Sequence, residues 1–209
     1  MNRRQMVLGT LTVAALAGSG GVAFPAPIAT PRQSTGPFYP ADWEGDVDWD
    51  LVRVRGADAR ALGDVSYVSG RVSDVAGTPI GGATVEIWQC DANGRYHHPR
   101  DSNRGRTRDG GFQGRGRVVT GADGRYRFRT IRPVPYPGRT PHIHFRVVTG
   151  DGREFITQMY VAGEPRNETD FLLNRITDPA RRAALIVRLD PADGLEAGAL
   201  AGTFDIVLA

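Results

Sequence analysis

Downstream of Ser66, the chain consists of short segments in which apolar and polar residues alternate, separated by turns that contain Gly, Asp or Pro. The predicted strands are residues 67–73, 83–89, 118–119, 125–131, 142–148, 154–161 and 203–208. Many short strands with few helices predict an all-β fold: a β-sandwich core of mostly antiparallel strands, with long loops and one or two short helices. The Asp123-Gly124 turn predicts that the strands on either side of it form a hairpin.

One helix is predicted near the C-terminus. Thr177 or Asp178 is a suitable N-terminal cap, and Pro179 fits the first turn of a helix. The pattern continues through residues 180–188, until the Asp190-Pro191 pair stops it. Because the segment is short, we expect this helix to pack at the edge of the sandwich.

The N-terminal residues have the features of an export signal. Arg3-Arg4 is followed by an apolar stretch at residues 11–17 and by small residues up to Ala23, where cleavage is expected. This stretch is too short for a permanent membrane span, so we expect export to the periplasm or the exterior, with a disordered or membrane-tethered tail as the alternative. The predicted organisation is a twin-arginine-type signal peptide at 1–23, an extended arm at 24–65 and the sandwich at 66–209.

Composition argues against nucleic acid as a partner. The formal net charge is +3, and without Arg3 and Arg4 it falls to +1, because 24 Arg then face 23 acidic residues. The segment from Arg104 to Arg117 contains Arg-Gly pairs, as some RNA-binding segments do, but we interpret it as a mobile loop near the mouth of a site. Cys90 is the only cysteine, so no disulfide can form within the chain.

A pair of histidines is the first candidate for chemistry. His142 and His144 stand two positions apart in a predicted strand, so both imidazoles leave it on one face. Such a pair, taken alone, is as often partly exposed as it is metal-binding. Tyr136 lies between two prolines in a stiff loop, six residues before His142, and can reach the same site. A phenol must lose a proton of pKa about 10 to bind a metal, which favours Fe(III) over Zn(II).

Several motifs, taken together, resemble the intradiol ring-cleavage dioxygenase family, and within it the subunits of protocatechuate 3,4-dioxygenases. They are Tyr96 together with VEIWQ at residues 85–89, FQG at 112–114, YRFRTI at 126–131, PYP at 135–137 and HIHF at 142–145. Tyr96, which by itself reads as a residue capping the core, gains a role from this resemblance. The family's pattern implies a mononuclear, non-haem Fe(III) with four ligands, which are Tyr96, Tyr136, His142 and His144.

The same resemblance implies an activity. A catechol-type aromatic diol would be cleaved by O2 between its two hydroxylated carbons, giving a cis,cis-muconate-type diacid. Tyr136 would leave the metal and act as an internal base, and Arg139 would stabilise the ketonised substrate. Gln158 would be a polar neighbour of the iron; an inward-facing Gln on an apolar strand needs a hydrogen-bond partner in any case.

Other positions around the implied site have less definite roles. Pro37 and Tyr39 would line the substrate mouth. Gly138 stands where a bulky aromatic follows the Tyr-Pro pair in the protocatechuate enzymes, so the pocket is expected to differ in shape and the preferred catechol is left open. His97 and His98 are adjacent to an implied ligand, and we interpret them as solvated side chains rather than as a second metal site.

A non-catalytic alternative rests on other stretches of the sequence. Residues 68–85 and 123–128 also resemble prealbumin-like or carboxypeptidase-regulatory-like binding modules, which share the β-sandwich. Those modules have no reason to bring two tyrosines and two histidines together, so the placement of these four side chains distinguishes the two interpretations. The dioxygenase resemblance further implies association with other copies of the chain or with a partner chain.

Overall fold

A computed structural model describes residues 27–103 and 105–209 of the chain. They form two five-stranded sheets packed face to face, so the predicted all-β sandwich is confirmed. The strands are β1 (Val65–Asp74), β2 (Thr84–Trp88), β3 (Arg115–Val119), β4 (Arg125–Ile131), β5 (His142–Val148), β6 (Glu154–Val161), β7 (Ile186–Val187), β8 (Asp190–Pro191), β9 (Leu200–Thr203) and β10 (Ile206–Leu208). The predicted signal peptide at 1–23 lies outside the described residues.

The first sheet is organised around β1. β4 pairs antiparallel with β1 along most of its length. On the other side, β9 and then β10 pair parallel with successive halves of β1, and β8 extends the sheet beyond β9. The sheet is therefore mixed, with a single long strand joining both of its halves.

The second sheet has the order β3-β2-β5-β6-β7, with β5 at its centre. The register places His144 opposite Trp88 of β2 and opposite Gln158 of β6, and it places His142 opposite Tyr160. Residues directly opposite one another share a face of the sheet. Trp88, His142, His144, Gln158 and Tyr160 consequently lie together on the face that points away from the other sheet.

The core fills the space between the two sheets. The alternate residues of β5, Ile143, Phe145 and Val147, are fully buried there against Val68 and Phe128 of the first sheet. Removing a large buried side chain such as Phe145 costs about 3–5 kcal/mol, because apolar contacts are lost and a cavity remains. The alternation of β5 thus divides its residues between holding the fold together and building the opposite face.

The hairpin prediction for residues 118–131 is wrong. The turn at Asp123-Gly124 forms, but β3 pairs with β2 whereas β4 pairs with β1, so the turn connects the two sheets. The Thr120 hydroxyl accepts a hydrogen bond from Ala83 N–H at 2.9 Å and donates one to the Ile80 carbonyl at 2.9 Å. These contacts hold the end of β3 to the segment that precedes β2, and the chain crosses over from there.

Three other predictions of local structure need correction. The helix α1 spans only Pro179–Ala183, with the Asp178 carboxylate as its cap, and two short strands follow where the helix was expected to continue. The predicted strand 203–208 is two strands, because Phe204 turns into the core between β9 and β10. The end of the segment from Arg104 to Arg117 is not a loop, since β3 begins at residue 115.

Residues 27–64 pack along the sandwich without forming a long helix or strand. Leu51 and Val52 are fully buried in the core. Thr30 and Gln33 donate backbone hydrogen bonds to Val207 at 3.0 Å and to Ile156 at 2.9 Å, respectively. Within residues 27–103 and 105–209, no helix has the length and the apolar character that crossing a membrane requires.

Candidate metal centre and its surroundings

The two histidines are held on β5 by stacking and by a backbone hydrogen bond. Each is 2% exposed. Trp88 stacks on His144 with ring centroids 4.7 Å apart and an interplanar angle of 6°. His142 Nδ1 lies 2.7 Å from the Thr140 carbonyl oxygen, which can only accept, so Nδ1 carries the proton and donates it. Nε2 of His142 is therefore left with a free lone pair.

The free nitrogen of His142 faces the second imidazole. The two Nε2 atoms lie 3.2 Å apart. His144 Nδ1 is buried, and in the part of the chain that the structure describes it has no hydrogen-bond partner. Burial lowers the pKa of His142 to about 3 and that of His144 well below its usual value, with the Arg139 cation adding to the effect on both. Both imidazoles are consequently neutral, which is the form that binds a metal.

Tyr96 reaches the histidines from a turn that follows β2. The Asp91 carboxylate accepts hydrogen bonds from the Asn93 and Arg95 amides at 2.9 and 3.0 Å and fixes this turn. The Tyr96 side chain is buried, and its Oη lies 3.5 Å from His142 Nε2. Tyr96 Oη and the two imidazole nitrogens thus converge on one small region.

Tyr136 completes the group from the loop before β5. Its ring lies edge-on to that of Tyr96, with centroids 5.3 Å apart, and 5.5 Å from the ring of His142. Its carbonyl oxygen accepts a hydrogen bond from Arg139 N–H at 3.0 Å, which closes the loop around Gly138. Tyr136 is half-buried, whereas Tyr96 is enclosed, so Tyr136 is the phenol on the open side of the group.

Both phenols need a compensating cation to ionise. Burial raises the pKa of Tyr96 well above its usual value of 10. Burial also raises the pKa of Tyr136, although the nearby Arg139 guanidinium acts in the opposite direction. Without a metal, the two side chains remain neutral phenols at physiological pH. A strongly Lewis-acidic cation between them and the imidazoles supplies the charge that makes phenolates stable.

The donor set fits a single metal ion. Bonds of about 2.0–2.1 Å place neighbouring donor atoms about 2.9–3.4 Å apart, close to the separations of 3.2 and 3.5 Å found here. Over the described residues, no three His, Cys, Asp or Glu side chains gather where they can hold a metal. A metal at this place therefore depends on the phenols as well as on the imidazoles.

Arg139 and Gln158 lie next to this group, and they touch each other. Arg139 Nη2 donates to Gln158 Oε1 at 2.8 Å and to Tyr160 Oη at 3.2 Å, and Nη1 lies 3.5 Å from His142 Nε2. Gln158 Nε2 donates to the Ser34 carbonyl at 2.9 Å. The structure thus brings together both side chains that the sequence analysis placed near the iron.

The segment around Pro37 runs beside the four-residue group, and the contact of Pro37 and Tyr39 with substrate stays a prediction. Pro37 is exposed, and the Tyr39 hydroxyl donates to the Glu86 carboxylate at 2.8 Å, behind Trp88 and away from the four-residue group. Phe38 is the aromatic that packs on the group, with its ring centroid 4.7 Å from that of Tyr96. Gly36 lies against His144, since a Cβ at position 36 would come within 3.3 Å of His144 Cε1.

His97 and His98 are half-buried, so the expectation of two solvated side chains is wrong. His97 Nε2 lies 3.6 Å from Asp91 Oδ2. The His98 ring lies 5.8 Å from that of Phe38, and its Nδ1 accepts a hydrogen bond from the Arg100 amide at 3.1 Å. Both imidazoles pack within the loop that supports Tyr96.

Asp170 and Tyr160 are further neighbours that the sequence analysis missed. Asp170 is paired with Arg139, and Tyr160 donates a hydrogen bond to Gln33 Oε1 at 2.6 Å. The position of Tyr160 follows from the strand alternation of β6, because it shares a face with Gln158. For Asp170, which lies in a loop with no regular pattern, the sequence offers no comparable signal.

Comparisons with known proteins place this arrangement in a class. A family model described as "Dioxygenase" matches residues 34–209, which include all four side chains of the group. The chain is 40% identical to the protocatechuate 3,4-dioxygenase beta chain of Burkholderia cepacia over 186 residues, which are 85% of this chain and 78% of that protein. It is 30% identical to catechol 1,2-dioxygenase 1 of Acinetobacter lwoffii, over 80% of this chain and 60% of that protein.

Solved structures agree with the sequence matches. The dioxygenase domain of a carbohydrate-binding fusion protein from Streptomyces sp. SirexAA-E superposes with a TM-score of 0.66 at 35% identity, covering 87% of this chain and 98% of that domain. Catechol 1,2-dioxygenase from Acinetobacter sp. ADP1 superposes with a TM-score of 0.65 at 28% identity, covering 87% and 63%. The chain is an oxidoreductase of the dioxygenase class. It belongs to the intradiol ring-cleavage dioxygenase family, whose members are generally iron-dependent.

Proposed function

We propose that this protein uses one non-haem Fe(III) ion to cleave a catechol-type aromatic diol with O2 between its two hydroxylated carbons, to a cis,cis-muconate-type diacid. The observation that carries the proposal is the convergence of Tyr96 Oη, His142 Nε2 and His144 Nε2 in a buried pocket, with Tyr136 beside them. Membership of the intradiol family supports the same reaction class.

The donor chemistry favours ferric iron over other metals. Tyr96 and Tyr136 would supply two anionic oxygens, and His142 and His144 two neutral nitrogens, a hard donor set that stabilises the oxidised ion. When bound, the iron would hold the diol by its oxygens and make the ring reactive toward O2. The protein's own groups would orient the diol, keep water out and move its protons.

Tyr136 would be the internal base of the reaction. It is the less enclosed of the two phenols, so it has room to move, and its oxygen can accept a proton from a diol hydroxyl. Arg139 Nη1 already points at the donor group, 3.5 Å from His142 Nε2, and can donate to an oxygen of the substrate that gains negative charge. Gln158 would hold the guanidinium in this orientation.

The space beside Tyr136 would be the approach of the diol to the group, although Tyr96, His142 and His144 line neither of the two cavities there. Cavities of about 340 and 390 Å³ flank the Tyr136-Pro137 loop, and Arg166 lines both of them. Gly138 faces open space, with no atom within 4 Å of the position that a Cβ would take. The loop therefore leaves more room than one with a bulky aromatic at this position, and several ring substituents would be tolerated.

The binding-module alternative explains less of the structure. A non-catalytic sandwich has no use for one buried and one half-buried tyrosine gathered around two buried neutral histidines on the outer face of a sheet. Burying such polar groups without full hydrogen bonding costs free energy, as His144 Nδ1 illustrates. We infer that a metal and a substrate account for the arrangement.

A visible absorption spectrum of the iron-loaded protein tests the proposal. Tyrosinate bound to Fe(III) should give a red-brown charge-transfer band. Under nitrogen, catechol, protocatechuate or hydroxyquinol should shift the band to longer wavelength, and O2 should restore it while a ring-opened diacid forms. Tyr96→Phe should weaken the band, whereas Tyr126→Phe, which removes a buried phenol that bonds to Phe204, should leave it unchanged. A protein that stays colourless after reconstitution with ferric iron refutes the four-ligand assignment.

We also propose that the protein is exported, on the strength of Arg3-Arg4 and the apolar stretch that follows. N-terminal sequencing of protein recovered from the periplasm or the medium should begin near residue 24. Recovery of the full-length chain from the cytoplasm alone would contradict this. Light scattering of the purified protein tests the expected association, and a monomer mass at all concentrations would refute it.

A further inference from the structure

The Asp170 carboxylate is a meeting point of several hydrogen-bond donors. Its Oδ2 accepts from Arg139 Nε at 2.8 Å and from Thr140 N–H at 3.1 Å. Its Oδ1 accepts from the amides of Leu172 and Leu173 at 3.1 and 3.0 Å. The Asp170 side chain has no exposed surface, and these bonds hold the pKa of Asp170 below its usual range although burial acts against them. The group is therefore a fully hydrogen-bonded carboxylate anion.

The main partner of this anion is the Arg139 guanidinium. The two side chains are 0% and 5% exposed, so neither charge is solvated by bulk water. A buried guanidinium without a counter-ion is strongly destabilised, so Asp170 is what allows Arg139 to remain inside. Because Nε is committed to Asp170, the planar guanidinium can rotate little, and this fixes the directions of Nη1 and Nη2.

Those directions lead into the candidate metal centre. Nη2 reaches Gln158 Oε1 and Tyr160 Oη, while Nη1 points toward His142 Nε2. Asp170 itself makes no hydrogen bond to Tyr96, Tyr136, His142 or His144, and beyond the effect of its charge on Tyr136 and His142 it would act on the reaction through the group that it holds. The second hydrogen bond of Oδ2, from the Thr140 amide, fixes the backbone next to Arg139 and so helps to hold the Arg139 side chain in place.

We propose that Asp170 is a positioning residue for the dioxygenase reaction: it orients Arg139 so that Nη1 meets the oxygen of the substrate that becomes negatively charged. This inference rests on the proposed function. Asp170→Asn removes the anion with little change in size. The Asn amide can turn in two ways. In one, its NH2 group faces the N–H donors of Arg139 Nε and Thr140; in the other, its NH2 group faces the amides of Leu172 and Leu173, and their hydrogen bonds are lost. In the first case the guanidinium loses its bond from Nε, and in the second it loses the longer bond from Nη2 to Oδ1 at 3.4 Å, so its orientation is less firmly fixed in either case.

A double-mutant cycle in iron-loaded protein tests the proposal. Loss of a residue that supports a site typically lowers activity about 10–100-fold, and we expect a fall of this size in kcat for Asp170→Asn, with KM unchanged. Arg139→Gln should lower kcat at least as much. The double variant should be no slower than Arg139→Gln alone, because Asp170 has nothing left to position. Independent effects that multiply in the double variant would overturn the proposal.

Two controls separate positioning from folding and from loss of metal. Glu196→Gln removes a carboxylate that pairs with Arg129. Arg129 is about as buried as Arg139 but lies on β4 of the other sheet, so this variant should leave kcat unchanged. Iron content and the charge-transfer band should be the same in Asp170→Asn and in wild type. If Asp170→Asn loses iron, and the lost iron accounts for the whole fall in activity, then Asp170 has a structural role and the positioning role is refuted.

Failure of the proposed function gives a different pattern. If wild-type protein turns over none of the three diols, the function is wrong. The pairing is then measured in iron-free protein: Asp170→Asn should lower the urea midpoint of unfolding when Arg139 is present and much less when residue 139 is Gln. If Asp170→Asn lowers the urea midpoint equally with Arg and with Gln at residue 139, then Asp170 does not hold Arg139 and the inference is refuted.

Discussion

Substituting Gly36 by Ala should weaken metal binding in addition to destabilising the fold. Gly36 has φ +68°, a conformation that L residues with a Cβ rarely adopt. An added Cβ would lie 3.3 Å from His144 Cε1 and 3.7 Å from His144 Nε2. The substitution therefore combines backbone strain with direct pressure on one of the two imidazoles.

The size of each effect can be worked out separately. The left-handed conformation costs a non-glycine residue about 1–2 kcal/mol, which sets the expected loss of stability. At 3.3 Å, the neighbouring ring must give by a few tenths of an ångström. Because Trp88 stacks on the same ring, the imidazole has little room to move without tilting. Metal sites tolerate errors of about 0.2 Å in ligand distance, so we expect iron affinity to fall about 10-fold or more.

A matched control isolates the contact from the strain. Gly77 has φ +83°, and no atom lies within 4 Å of its Cβ position. Gly77→Ala should lower the free energy of unfolding in urea by the same amount, about 1–2 kcal/mol, but should bind iron as the wild type does. Iron affinity is measured by competition with a chelator, monitored through the charge-transfer band. Equal iron affinities for Gly36→Ala and Gly77→Ala would refute the reasoning.

Two further predictions concern charge. Glu86, with 2% of its side chain exposed, accepts hydrogen bonds from Arg117 and Arg146 on the neighbouring strands. Glu86→Ala should lower the free energy of unfolding in urea by about 3 kcal/mol. Glu86→Gln should lower it less, because the amide oxygen still accepts. Since burial depresses the pKa of His142 to about 3, the unfolded chain takes up the proton first, so iron-free protein should lose stability as the pH falls from about 6.5 toward 3. A urea midpoint that does not change over this range would contradict the assigned neutrality of His142.

The sequence predicts those features that depend on a short stretch of chain. Alternation in residues 142–148 correctly puts His142 and His144 on one face and Phe145 in the core, because the period of a strand is a local property. The stiff Pro-Tyr-Pro stretch likewise places Tyr136 beside them. The family's pattern adds Tyr96, Arg139 and Gln158, whose proximity no local rule predicts.

Features that depend on packing between distant segments could not be predicted in this way. The sequence indicates the turn at Asp123-Gly124, but which strands pair across it depends on contacts of Thr120 with residues 80 and 83. Asp170 lies 31 residues from Arg139 in the sequence and has no periodic pattern around it. The sequence analysis assigns Pro37 and Tyr39 to the substrate mouth, which stays a prediction, whereas the contacts of Phe38 with Tyr96 and of Gly36 with His144 have no signal in the sequence.

The site is built on the outer face of a sheet, and this location explains why it needs so many supporting residues. Inside the sandwich, side chains are held mainly by dense packing. On the outer face, the imidazoles would be open to water if β5 and its neighbours were the only walls. Phe38, Gly36 and the Ser34 carbonyl cover them from one side, and the loop carrying Tyr136 and Arg139 covers them from the other. Tyr136 closes the open side and is itself a proposed ligand and base, so access for the diol and release of the phenol would be one event. Residues that fix this loop, such as Asp170, would therefore influence the chemistry without touching the substrate.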